Sequence, residues 1–226
     1  MDFGCGDGLQ FLKLKLPVKY YYGIDTSYHM IEACKKNLFN YKKKLFFGGV
    51  EKLKKIKSNS INLLIAINVL GYLNEKGLKT FLKNCKRVVK KNGYIMTLNG
   101  NELFNLFALN YGTKIFFEKY FNQKSKHLKL LLKKLKSEWI QAKTFNPLNF
   151  FYKFEKFNFT EIERSYAGWH KYSPEIGKII YGKKDISKTR IKTRDLLFNP
   201  NKLEESDKWQ CLFRCSIFGN LFKKNS

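Results

Sequence analysis

Three glycines at alternate positions, Gly4, Gly6 and Gly8, stand in the opening segment MDFGCGDGLQFL, with Asp2 just ahead of them. A strand that turns sharply into a helix while a ligand lies against its backbone cannot carry side chains at the points of contact. Glycine meets that need, through dihedrals other residues disfavour and through close approach. The helix that follows offers its N–H groups and the positive end of its dipole to the ligand. A dinucleotide fingerprint would read Gly-x-Gly-x-x-Gly, with an acid about 20 residues further on. Here the third glycine comes one residue early, and Leu9 stands where that pattern wants glycine. The acid is still in place: Asp25 closes an apolar run, and a carboxylate there can accept both hydroxyls of a ribose.

The elements that must carry these residues follow from hydrophobic periodicity. Residues 18–24 read as a strand ending at Asp25, and 28–39 as a helix with Met30, Ile31, Cys34 and Leu38 at helical spacing. Residues 45–47 form a short strand. Residues 61–67 are nearly continuous apolar, the pattern of a parallel strand buried on both faces. Leu78, Phe81, Leu82, Cys85, Val88 and Val89 repeat at three and four, with Asn92-Gly93 as the helix stop, and 94–98 supply another strand. Alternating strands and helices imply a parallel sheet with crossover helices on both faces. Beyond residue 100 the rhythm changes. Residues 101–121 and 124–142 read as two helices, 148–156 as a shorter one behind Pro147, and 159–166 and 209–218 as strands.

In this order and spacing the segments resemble the class I S-adenosylmethionine-dependent methyltransferases. DFGCGDG resembles their Asp/Glu-x-Gly-x-Gly-x-Gly motif, and GIDTSYHMIEACKKN the segment with the ribose-binding acid. INLLIAINVLGYLNEKGLKTFLKNCKRVVKKNGYIMTLN resembles the fourth strand, the helix after it and the fifth strand. The resemblance implies an α/β, doubly wound, mostly parallel, Rossmann-like sheet of the seven-stranded type, with 159–166 and 209–218 as its closing antiparallel pair. Residues 1–100 would form the cofactor-binding core, 101–150 a helical insertion capping the pocket, and 151–226 the part that completes the sheet. S-adenosylmethionine is the implied cofactor. Gly4, Gly6 and Gly8, with Cys5 between them, would lie under its methionine and ribose, anchored by Asp2. Asp25 and Thr26 would meet the ribose, Met30 would pack on the adenine, and the backbone at Val50 would contact it. Gly48-Gly49 replace the acid often found beside that position, with Glu51 nearby as a substitute. Asn68 would border the reactive end.

Methyl transfer from a sulfonium is an in-line displacement in which the protein aligns the acceptor and excludes water. An oxygen acceptor also needs a proton removed. Relatives with a similar fourth strand often carry Glu-His after Asn-Val-Leu, whereas Gly71-Tyr72 stand here. Tyr72 is then a candidate to face the acceptor. Of the three histidines, His170, in a loop expected to face the pocket, is the candidate general base. A small molecule or glycan is the favoured acceptor. RNA-directed methylation is the alternative, along with a truncated, inactive relative. No Asn-Pro-Pro-aromatic segment follows the fourth strand, and no Pro-Cys nucleophile is present.

Composition narrows the rest. Hydrophobic residues at 44% suffice for a core, and no apolar run is long enough to span a bilayer. The formal charge of +26 invites an anionic partner, either nucleic acid or a membrane surface. The lysines are nevertheless spread along the whole chain instead of forming one block. Between 124 and 142, Leu128, Leu131, Leu132, Leu135 and Trp139 make an apolar stripe with lysines around it, which suits a core-facing helix or a peripheral anionic-membrane contact. Five cysteines without Cys-x-x-Cys spacing suggest neither a zinc site nor disulfides, in keeping with a cytoplasmic protein; Cys211 and Cys215 would share one strand face. Because only Met1 precedes Asp2, the first strand is expected to be short, as in a truncated version of a longer protein.

Leu9 in the dinucleotide glycine's place makes a direct prediction. In calorimetric titrations the protein should bind S-adenosylmethionine or its demethylated product more tightly than NADH. The opposite ranking would overturn the reading.

Overall fold

The computed structural model describes residues 1–109, 111–121, 130, 142–173, 176, 179, 180 and 198–225. Seven strands run in the order β3-β2-β1-β4-β5-β7-β6. They are β1 (Asp2–Phe3), β2 (Tyr21–Asp25), β3 (Lys43–Phe47), β4 (Ile61–Ile67), β5 (Val89–Gly100), β6 (Phe159–Trp169) and β7 (Cys215–Lys224). The pairs β1–β2, β1–β4, β2–β3 and β4–β5 are parallel. The bonds Thr97–Asn220 and Asn101–Ser216 run in opposite sequence directions, so β7 enters antiparallel to β5. The helices are α1 (Leu9–Lys13), α2 (Tyr28–Asn37), α3 (Glu75–Val88), α4 (Phe104–Ala108), α5 (Tyr111–Tyr120), α6 (Tyr152–Glu155) and α7 (Gln210–Arg214). This is an α/β, mostly parallel, Rossmann-like sheet. The stretch 124–141, apart from Leu130, and with it the lysine-bordered stripe, lies outside the described residues.

The chain divides into two compact units. One comprises Met1–Asn99, Phe150–Arg164 and Asn220–Ser226, and the other Gly100–Asn149 and Ser165–Gly219. In the first unit β1 is only two residues long, yet Asp2 pairs with Gly23 on one side and Ile65 on the other. The Met1 nitrogen donates to Leu63 O at 2.8 Å and its carbonyl accepts from Ile65 N at 2.8 Å, continuing the ladder. Leu64, Ile65 and Ala66 of β4 are buried, as a strand covered on both faces requires.

α3 starts at the Asn74 cap, whose side chain accepts from Gly77 N at 2.8 Å, and buries Leu78, Phe81, Leu82, Cys85 and Val88. Its end corrects the sequence reading. The helix stops at Val88 and the strand begins at Val89, so Asn92-Gly93 is not a helix stop. Asn92, at φ 58°, and Gly93 instead absorb a register shift in β5, where Ile61 pairs with Val89 but Leu63 with Tyr94. Lys224 Nζ reaches the freed carbonyls of Lys86 and Val89 at 2.6 and 2.7 Å, a cation where the helix dipole favours one. Arg87 forks to Leu53 O and Ile56 O at 2.8 and 2.7 Å and ties the 3-10 turn Val50–Lys55 to α3.

In the second unit Asn101 Nδ2 donates to Leu212 O and Cys215 O, both at 2.8 Å, and its Oδ1 accepts from Leu103 N. Buried Glu102 pairs with Lys119 and accepts from Tyr120 Oη at 2.8 Å. A second correction falls here. Residues 209–218 are not one strand: Gln210–Arg214 is helical and the strand starts at Cys215. A spacing of four keeps Cys211 and Cys215 on one face in a helix and in a strand alike, so it could not tell the two apart. Both thiols are buried beside Trp169.

Phe154 and Phe222, both fully buried in the first unit, stack with centroids 4.0 Å apart and planes 7° from parallel. Phe154→Ala should lower unfolding free energy by about 3–5 kcal/mol. Denaturant unfolding of the two proteins measures it, and a change under 1 kcal/mol would show that the stack is dispensable.

Candidate cofactor site

Gly4, Gly6 and Gly8 all adopt positive φ, at 77°, 51° and 79°. Their reasons for being glycine differ. A Cβ at Gly4 would lie 2.5 Å from Val69 Cγ2, and one at Gly8 would lie 3.1 Å from Cys34 Sγ and from Leu38. A Cβ at Gly6 would meet nothing within 4 Å. Two glycines are therefore set by packing within the protein, while the middle one faces open space, as a loop lying under a ligand should.

The loop is held from β2. Gly4 N and Cys5 N donate to Ile24 O at 2.8 and 3.0 Å, and Gly6 N donates to Asp25 Oδ2 at 2.8 Å. The other oxygen of Asp25 accepts from Ser27 N at 2.8 Å, at the start of α2. Each carboxylate oxygen thus takes one backbone N–H and keeps a second lone pair for another donor. The Asp25 carbonyl accepts from Gly48 N at 2.8 Å, which draws the turn after β3 to the same place. Val50 opens the 3-10 turn just beyond, and Glu51 Oε1 bonds Gly49 N at 2.9 Å. Thr26 is exposed, and Met30 is 45% exposed and not in the core, which α2 reaches through Ile31 and Cys34. Asn68, at φ 52°, follows β4, exposed, with its N–H on Leu98 O at 2.8 Å.

Under the loop, Cys5, Phe11, Tyr21, Ile31, Cys34, Leu38 and Ile65 form one buried cluster. Asp2 is 4% exposed and accepts from Tyr21 Oη at 3.2 Å. Burial raises its carboxyl from 3.8 to about 6, against the Tyr21 hydrogen bond, which lowers it. The Cys5 thiol is pushed above its ordinary value by its hydrogen bond with Cys34 and by burial, which leaves it a neutral packing group.

The first unit thus brings Asp2, Gly4, Cys5, Gly6, Gly8, Asp25, Thr26, Met30, Val50 and Asn68 to the carboxyl ends of β1 to β4. Tyr72 is 68% exposed in the 3-10 turn Leu70–Tyr72 of this unit. His170 belongs to the second unit, where its ring is 3% exposed and lies 4.7 Å from that of Phe104. The histidine expected in a loop facing the pocket is therefore buried. His29 is exposed beside Tyr28, and His127 lies outside the described residues. Sequence reasoning missed Tyr21, the partner of Asp2, and Val69, which closes over Gly4. Neither carries a motif, and only the parallel registers put them there. Among the described residues no cluster of His, Cys, Asp and Glu could hold a metal ion, and no helix is long and apolar enough to cross a membrane.

Comparison with known proteins bears on the family and the fold. Residues 1–97 match the model of a family described as Methyltransferase domain. The fold is similar to that of a SAM dependent methyltransferase from Archaeoglobus fulgidus, with 17% identity, 99% of this chain and 84% of that one covered, and a TM-score of 0.56. A putative S-adenosylmethionine dependent methyltransferase from Listeria monocytogenes gives 14% identity, 100% and 90% coverage and a TM-score of 0.60. The geranyl diphosphate C-methyltransferase of Streptomyces coelicolor, solved with S-adenosyl-L-homocysteine, gives 9%, 99% and 69%, and 0.53. No curated protein sequence matches significantly. Residues 1–97 thus match a methyltransferase-domain family, and the fold is similar to that of S-adenosylmethionine-dependent methyltransferases.

The buried Asp2 makes a pH prediction. A carboxyl whose folded pKa lies above its unfolded value binds its proton more tightly when folded, so its contribution to stability declines as pH rises from 3.8 to about 6. Asp2→Asn should flatten that part of the stability profile, measured by denaturant unfolding at pH values on either side of the window. An unchanged profile would mean that Asp2 is not the group responsible.

Proposed function

We propose that this protein methylates a small-molecule or glycan acceptor, using the loop Gly4–Gly8 and Asp25 to hold S-adenosylmethionine. The observation that carries the reading is the open face at Gly6 joined to a carboxylate that keeps a free lone pair on each oxygen. Asp25 accepts the two ribose hydroxyls while it continues to hold the loop. The Met30 thioether, exposed beside it, packs on the adenine, and the backbone at Val50 supports the adenine edge. Thr26 lies at the ribose side, and Cys5 packs the loop down from beneath. Asp2 sits where an ammonium partner would return its carboxyl to the charged form. When bound, the cofactor supplies an activated methyl group, so the chain's own work is alignment and exclusion of water.

On the acceptor side, Asn68 and Tyr72 follow β4 and present exposed polar groups. His170 is the candidate base for an oxygen acceptor. Nitrogen and carbon acceptors place different demands on proton removal, so a pH–rate profile of His170→Gln tests that role alone. The RNA-directed alternative rests on charge, and several of the cations are committed to main-chain carbonyls within the fold, which favours the small acceptor.

Two measurements test the reading together. Asp25→Ala should weaken binding of S-adenosylhomocysteine by roughly 1.5–3 kcal/mol, the scale of charged hydrogen bonds, with the circular dichroism spectrum kept. Unchanged affinity removes Asp25 from the site. Incubation with methyl-labelled S-adenosylmethionine and fractionated cell extract should label a fraction that survives nuclease treatment. Label confined to a nuclease-sensitive fraction would favour the RNA reading instead.

A further inference from the structure

The last three alternate residues on one face of β5 and just past it, Thr97, Asn99 and Asn101, are all polar and all buried, at 1%, 2% and 1% exposure. Two of them are satisfied. Thr97 Oγ1 meets Asn220 Oδ1 at 3.4 Å, and Asn101 uses its Nδ2 twice and its Oδ1 once on main-chain partners. Asn99 is different: neither its Nδ2 nor its Oδ1 has a hydrogen-bond partner. Leaving both halves of a buried carboxamide unpaired is unfavourable, and native proteins rarely retain such a group without a use for it.

Its position says what the use is. Asn99 stands at the carboxyl end of a central parallel strand, the edge at which ligands bind in open α/β sheets. The register Ile67↔Leu98 places it one step along from Leu98, opposite Asn68 at the end of β4. Asn68 is exposed and Asn99 is covered, so the two carboxamides form a polar pair with one member outside and one inside. Nothing in the cofactor-holding set described above uses Asn99. A carboxamide both donates and accepts, and a buried, uncharged one suits a neutral group that does the same.

Resting on the methyltransferase reading above, we propose that Asn99 is a substrate-recognition residue that pairs with a hydroxyl or amide of the methyl acceptor. Its unsatisfied amide in the free protein is a strain held in reserve and relieved only when the acceptor arrives. This site discriminates against acceptors lacking such a group, because the carboxamide would then stay unpaired in the complex.

The test is Asn99→Leu, which keeps the volume and removes the orphaned polar pair. Three readings are taken: the melting temperature, the affinity for S-adenosylhomocysteine, and the rate at which label passes from S-adenosylmethionine to the acceptor fraction of cell extract. The proposal expects a melting temperature equal to or above that of the unsubstituted protein, cofactor-product affinity within about twofold, and acceptor kcat/KM lower by roughly tenfold or more. A lower melting temperature would show that the amide is satisfied structurally, for instance by a buried water, and overturns the proposal. Undiminished labelling with a retained fold overturns it too, as does a methylated product with neither hydroxyl nor amide. If the unsubstituted protein binds no S-adenosylhomocysteine and labels nothing, the methyltransferase reading itself falls and takes this inference with it. That outcome is separate from a failure confined to the Asn99→Leu protein.

Discussion

The carboxylate of Asp25 is the point on which the carboxyl edge of the parallel sheet turns. A loop with three left-handed glycines loses more conformational entropy on ordering than the same loop without glycine would, so contacts from outside it help to hold it. Asp25 does so with one oxygen on Gly6 N and the other on Ser27 N, while its carbonyl takes Gly48 N. The turns after β1, β2 and β3 are thereby gathered onto one residue. The pairing of Phe3 with Ile24 and the bonds from Gly4 and Cys5 to Ile24 O set the height at which this happens. A slip of one residue in β2 would point Asp25 to the other face of the sheet and release all three turns.

What lies beneath the loop is less comfortable for the fold. Asp2 is carried into a cluster of aromatic and aliphatic side chains with Tyr21 as its hydrogen-bonding side-chain partner, and its raised pKa measures the desolvation it suffers there. Asn99 repeats the theme at the carboxyl end of β5, a buried polar side chain with no hydrogen-bond partner. Stability is normally set aside in this way at residues whose interactions are completed by a ligand. The two groups also differ in kind, one ionisable and one neutral.

The large positive charge takes on a different meaning once the contacts are known. Lys43 donates to Leu38 O beyond α2, Lys224 to the carbonyls at the end of α3, Arg87 to Leu53 O and Ile56 O, and Arg214 to His170 O and Lys171 O. These cations stand against main-chain carbonyls at turns and helix ends. Part of the basic character is therefore structural.

The sequence by itself determined the order of the elements in its first hundred residues, the parallel half of the sheet and the glycine-rich turn after the first strand. Each rests on local signals: glycine dihedrals, an acid at a strand end, and apolar runs whose period distinguishes strand from helix. The same signals failed where one pattern serves two conformations. The spacing of Cys211 and Cys215 fits a helix and a strand equally, and Asn92-Gly93 serves as readily for a bulge as for a helix stop. Tertiary structure alone decided the rest. Only packing shows that Gly4 and Gly8 are glycines for Val69, Cys34 and Leu38, whereas Gly6 faces open space. Only the register of β5 shows that Asn101 finds its carbonyls and Asn99 finds none. The physical reason is that a hydrogen bond or an overlap between residues far apart in the chain depends on relative height and orientation, which no local periodicity encodes.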